Sequence, residues 1–161
     1  MTNSQSKKLD VNIGEHIRYP IIIGTGLEKE ILSAIEKEGQ NRRLVIITDS
    51  RIKKLYGQYL LSMLKKSGGQ VELISFPNGE RNKTQATVTA LQHALLKKRY
   101  GRDTLIIAVG GGVAGDIVGY VAATYLRGVP YIQMPTTLLA MVDSSVGGKV
   151  GIDTPYGKNT A

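Results

Sequence analysis

The chain contains no cysteine, which excludes disulfides and thiolate-held metals and fits a reducing compartment. Histidine is nearly as scarce. His16 and His93 are the only two, too widely separated to assemble a three-ligand catalytic metal centre. Residues 1–8 are polar, with no apolar core of a secretory signal, so a cytoplasmic location is expected. Residues 104–126 hold a single charge, Asp116, and have the length of a membrane span. A mid-span Asp costs about 2.5–3.5 kcal/mol, however, and three consecutive glycines interrupt the helix, so no membrane partner is expected.

With 42% hydrophobic and 21% charged residues in 161, the composition is that of a globular protein, either one ordinary domain or a part of something larger. The net charge of +8 suggests an anionic partner, but its distribution limits that reading. From Gly110 onward Arg127, Lys149 and Lys158 are balanced by Asp116, Asp143 and Asp153. Upstream, Lys97, Lys98, Arg99 and Arg102 close a predicted helix, where cations complement the macrodipole. Lys53, Lys54, Lys65 and Lys66 read as a solvated face. Without interleaved aromatics or a recognition-module signature, no nucleic acid partner is expected.

Periodicity organises the chain. Residues 1–8 read as a flexible tail. Residues 9–13 and 19–23 read as two short strands around Gly14 and His16. Thr25 and Glu28 have capping-box spacing ahead of a helix carrying Leu27, Ile31, Leu32 and Ile35 to Gly39. A buried-type strand at 44–48 ends in Asp49, and a helix bearing Ile52, Leu55, Tyr56, Tyr59, Leu60 and Met63 runs to Gly68-Gly69. A strand at 71–75, turn residues Pro77-Asn78-Gly79, a helix from about Thr84, a strand at 104–109, a helix, and a strand at 131–134 ended by Pro135 complete the series. Strands alternating with helices predict an α/β fold: a doubly wound, Rossmann-like, mainly parallel sheet with helices on both faces.

Gly110, Gly112 and Gly115 fit G-x-G-x-x-G at a strand-to-helix turn, where backbone N–H groups can face a pyrophosphate. The same glycines also suit close packing of helix on strand, and the motif alone leaves both open. Ligands of parallel sheets gather beyond the carboxyl ends of the strands, so Asp49, residues 77–83, residues 110–116 and Thr136-Thr137 are expected in one crevice. The order departs from the usual dinucleotide fold. Asp49 precedes the glycines, and the acid expected about 20 residues after them is missing.

Pro77-Asn78-Gly79-Glu80 with Lys83-Thr84, the 110–116 glycine turn, Ala122 through Gly128, the block from Pro135 to Lys149, and Gly157-Lys158-Asn159 resemble, in order and spacing, the 3-dehydroquinate synthase family. The likeness runs from about Asp49 to the end. It implies an NAD-dependent and metal-dependent phosphate lyase of the shikimate pathway, in aromatic amino acid biosynthesis. Its substrate is a phosphorylated sugar acid, 3-deoxy-D-arabino-heptulosonate 7-phosphate, and its product 3-dehydroquinate. It further implies a divalent metal, zinc or cobalt, and a homodimer in full-length form. Carried over by position, Asp49 holds a ribose hydroxyl, and Glu80 and Lys83 the adenosine end. Gly110, Gly111, Gly112 and Asp116 meet the pyrophosphate and nicotinamide side. Thr136 and Thr137 add hydroxyls, Lys158 joins them at the cofactor, and Asp143, Lys149 and Asn159 reach the substrate. Lys149 and Lys158 lie in Gly-rich segments that read as a hairpin.

The family's metal ligands, a glutamate and two histidines, belong to a helical C-terminal half that this sequence lacks. Residues 9–161 are therefore expected to be the NAD-binding α/β domain, the N-terminal half of a two-domain enzyme and inactive alone. Alternatives are the same domain of another sugar phosphate cyclase or of a metal-dependent polyol dehydrogenase, or a stand-alone nucleotide-binding module. A β-branched residue at Gly112 is expected to abolish NAD binding and leave the fold intact.

Overall fold

The computed structural model describes residues 6–13, 17–65 and 70–161, which divide between two compact units, Met1–Gln40 and Asn41–Ala161. In the first, β1 (Ser6–Ile13) pairs antiparallel with β2 (Ile17–Gly24). Leu9 stands opposite Ile21 and Val11 opposite Tyr19, apolar cross-strand pairs of the kind that stabilise a ribbon. The strand begins at Ser6, inside the stretch expected as tail; Gly14 and His16 lie outside the described residues. Helix α1 (Glu28–Gly39) starts two residues later than its expected cap requires. Its N-cap is Leu27, with no side-chain cap bond. Gly26 turns the chain at φ +64°, and Thr25 lies two residues before the N-cap position it was expected to fill.

The second unit alternates β3 (Arg43–Asp49), α2 (Ser50–Lys65), β4 (Val71–Phe76), α3 (Gln85–Lys97), β5 (Thr104–Gly110), α4 (Gly112–Thr124) and β6 (Tyr131–Pro135). All four strands are parallel, in the order β4-β3-β5-β6. The fold is the expected Rossmann-like α/β sheet. The Gly68-Gly69 helix stop falls outside the described residues, and among those described no helix is long and apolar enough to cross a membrane.

The two sheet faces follow from period-2 alternation. Val45, Ile47, Ile106 and Ala108 join Val88, Leu91 and Leu95 of α3 and Ile117, Val118 and Val121 of α4 in one core. Leu44, Ile46, Leu105 and Ile107, on the opposite face, are buried too, and a Cβ at Gly57 of α2 would stand 3.4 Å from Leu73 there. Each such Ile or Leu is stabilised by about 1.5–3 kcal/mol on burial. Because β5 is covered along its whole length, its sequence shows no polar alternation. At the amino end, Tyr125 donates to the Tyr100 carbonyl at 2.6 Å, and burial pushes both phenols above their ordinary pKa.

Register positions the site. Asp49 lies beside Phe76, Thr48 beside Val109, and Gly110 beside Pro135, so all four carboxyl ends finish at one edge. The chain leaves β3 toward β4 on one side and β5 toward β6 on the other. This reversal opens a crevice between the β3 and β5 ends, where such sheets take ligands.

Candidate cofactor crevice

The first wall of the crevice is Asp49. One carboxylate oxygen, Oδ1, accepts the N–H groups of Arg51 (2.8 Å) and Ile52 (2.9 Å), capping α2 as an N-terminal Asp does. Oδ2 faces the glycine turn, 3.5 Å from where a Cβ on Gly110 would be. Capping thus occupies one oxygen of the side chain and leaves the other facing the turn.

The turn itself is sterically committed to glycine. Gly110 has φ +155°, and a Cβ there would come within 2.5 Å of Ala114 Cβ. A Cβ on Gly111 would meet Thr137 Cγ2 at 3.1 Å, and one on Gly112 would meet Ser144 Oγ at 3.1 Å. A β-branched residue at Gly112 would therefore press on Ser144 as well as on any ligand, so it is not the clean test expected from sequence. The first intrahelical bond of α4 runs from Gly115 N–H to Gly111 O, at 3.0 Å. The N–H groups of the preceding turn have no partner within the helix and form the usual anion-binding end.

Thr136 and Thr137 follow β6. The Thr136 N–H donates to the Gly110 carbonyl at 2.9 Å, locking the two loop ends together. Its buried Oγ1 has no hydrogen-bond partner among the described residues. Thr137 Oγ1 accepts from Ala140 N–H at 3.3 Å and starts a helical segment that ends in a π-helical turn, Ala140–Ser144. A hollow beside the glycines is lined by Gly110, Gly111, Gly115, Gln133 and Ser144. Gln133 and Ser144 were not singled out from sequence. Gln133 had a signal, an amide between Ile132 and Met134 in an otherwise apolar strand.

The charged residues are arranged in pairs. Lys83 is buried, and its ammonium donates to Asp116 Oδ2 at 2.5 Å and to Asn159 Oδ1. Asp116 is near the start of α4 and paired, the two conditions under which an acid in an apolar helix is tolerated. Glu80, in the 3-10 turn Glu80–Asn82, lies 3.7 Å from Lys158. Lys149 pairs with Asp143 at the surface. The expected hairpin is smaller than read. Gly147 and Gly148 make a separate turn at positive φ, while residues 152–161 fold back on themselves around Thr154 and Gly157. His93 is exposed on α3.

These features fit a dinucleotide: an orphaned buried hydroxyl, an unused carboxylate oxygen, a cradle a Cβ would fill and a helix N-terminus, all at one switch point. They do not fit a catalytic metal. Among the described residues no three His, Cys, Asp or Glu side chains come together.

The family described as 3-dehydroquinate synthase N-terminal matches residues 73–161. A 3-dehydroquinate synthase of Syntrophotalea carbinolica is 44% identical over 153 residues, 95% of this chain and 42% of the relative. That of Clostridium kluyveri is 43% identical over 153 residues, again 95% and 42%. The chain thus spans less than half the length of the curated relatives it matches. Among solved structures, a 2-deoxy-scyllo-inosose synthase complexed with carbaglucose-6-phosphate, NAD+ and Co2+ superposes with a TM-score of 0.84 at 28% identity, over 96% of this chain and 42% of that one. The 2-epi-5-epi-valiolone synthase of Streptomyces hygroscopicus, with NAD+ and Zn2+ bound, gives 0.80 at 28% identity, over 94% and 41%.

Proposed function

The chain belongs to the 3-dehydroquinate synthase N-terminal family, and from that premise we propose that it forms the NAD-binding portion of a 3-dehydroquinate synthase. The whole enzyme would convert 3-deoxy-D-arabino-heptulosonate 7-phosphate to 3-dehydroquinate and phosphate. The observation that carries the cofactor reading is the buried, unpartnered Thr136 Oγ1 beside the Gly110 turn. A buried hydroxyl without a partner costs about 1–3 kcal/mol, and a ligand that bonds it recovers that cost.

When bound, NAD supplies a hydride acceptor and then a donor within one turnover. This chain's residues hold and orient it. Asp49 Oδ2 accepts from a ribose hydroxyl while Oδ1 keeps α2 capped. The α4 N-terminus and the glycine turn receive the pyrophosphate. Thr136 and Thr137 lie on the β6 side of the turn, and Glu80, Lys83, Asp116 and Lys158 form a charged border. Asp143, Lys149 and Asn159 are assigned to the phosphorylated sugar acid, whose anionic groups an exposed ammonium can meet as a point charge. Metal ligation is assigned to no residue of this chain, and the chain alone is expected to release no phosphate. Another sugar phosphate cyclase is the second reading, carried by the fold likeness at lower identity.

Thr136→Val is the direct test. It removes only the hydroxyl, so NAD affinity measured by calorimetry is expected to fall about tenfold, whereas stability in urea is expected to rise by about 1 kcal/mol or more because the orphaned group is gone. Unchanged affinity would sink the assignment of Thr136, and no NAD binding by the unmodified chain would sink the cofactor reading.

A further inference from the structure

The segment that carries Lys158 and Asn159 is held in a particular way. Ile152 N–H donates to Ala161 O (2.9 Å), Thr160 N–H to Ile152 O (3.1 Å), and Thr154 and Gly157 bond each other in both directions (2.9 and 3.2 Å). Between these rungs Asp153 stands opposite two residues, Lys158 and Asn159. This is the geometry of a β-bulge, which re-aims side chains and leaves one residue outside the ladder. Asn159 has φ +53°, the left-handed region that Asn tolerates better than other side-chain-bearing residues. Its N–H has no rung and goes to Asp153 Oδ1 at 2.9 Å. Asp153 in turn donates its own N–H to the Lys83 carbonyl at 2.9 Å and bridges to Thr84.

One residue therefore ties the bulge to the β4–α3 loop. From there Asn159 Oδ1 reaches the Lys83 ammonium, and Lys158 stands near Glu80. We propose that Asp153 is a positioning residue for the site: its carboxylate holds Asn159 in the left-handed bulge, and this places Asn159 on Lys83 and Lys158 at the cofactor border. Asp153 touches no ligand itself. The proposal rests on the NAD reading above.

The test is calorimetry of NAD binding to the chain with four variants, each checked for folding by circular dichroism. Asp153→Ala is expected to weaken binding about tenfold. Asp153→Asn, which keeps an acceptor oxygen, is expected to stay within threefold of the unmodified chain. Asp153→Ala with Asn159→Ala is expected to lose less than the sum of the two single losses, because the placement of the Asn159 amide on Lys83 is already gone in Asn159→Ala, whose backbone N–H still bonds Asp153; a merely structural Asp153 would make the two losses add. A loss under threefold for Asp153→Ala, or additive losses, overturns the proposal. If Asp153→Ala does not fold, amide hydrogen exchange at Asn159 in the unmodified chain decides: protection supports the linkage and free exchange overturns it. Absence of NAD binding by the unmodified chain overturns the cofactor reading and this inference together. Binding that survives Asp153→Ala overturns this inference alone.

Discussion

Two lysine–aspartate pairs of this chain share the same chemistry in different surroundings. In Lys83–Asp116 the side chains keep 5% and 17% of their exposure; in Lys149–Asp143 they keep 57% and 59%. Removing water changes what each pair is worth. A buried charge that loses its partner is left without solvent or countercharge, which typically costs about 3–5 kcal/mol. An exposed pair is screened, contributes about 0–1 kcal/mol, and leaves its ammonium at little cost to another anion. The first pair holds the α4 start against the β4–α3 loop and the C-terminal turn. The second stays in solvent.

The largest expected effect tests the buried side. Lys83→Met strands Asp116 and is expected to lower unfolding free energy in urea by about 3–5 kcal/mol. A loss under about 1 kcal/mol would mean that water reaches Asp116, and the contrast would fail. Adding Asp116→Leu to Lys83→Met is expected to restore stability to within about 1–2 kcal/mol of the unmodified chain, since an apolar replacement of a buried pair is often neutral. NAD binding is expected to stay impaired, separating the pair's structural part from its binding part.

On the exposed side, Lys149→Met is expected to change stability by no more than about 0.5 kcal/mol. A larger loss would make Lys149 a structural residue. Of similar small size is the salt response. A double-mutant cycle on Asp143 and Lys149 is expected to give about 0.2–1 kcal/mol of coupling at low salt, fading at 1 M NaCl, where the screening length is about 3 Å. The coupling of Lys83 with Asp116 is expected to persist there, and equal salt sensitivity of the two cycles would abolish the distinction.

Much of the scaffold was legible in the residues. The α/β alternation, the carboxyl-end loops and the Thr84 helix start were read from periodicity and turn chemistry. The α1 cap was misread because spacing alone does not reveal that Gly26 turns the chain at φ +64°. The single hairpin for residues 149–158 was misread because a bulge and a separate glycine turn look alike in sequence. Asp153 was passed over as an ordinary acid, since its partner on the bulge depends on how the segment folds back.

By itself, the sequence determined where strands and helices run, that β5 is covered on both faces, and which loops meet at the crevice, because those properties depend on local periodicity and on the shared direction of parallel strands. Tertiary structure alone decided which charges lost their water. Lys83 and Lys149 are the same residue type in polar loops. Only docking across 33 and 76 positions of chain buries Lys83 between Asp116 and Asn159, and leaves Lys149 in solvent with Asp143.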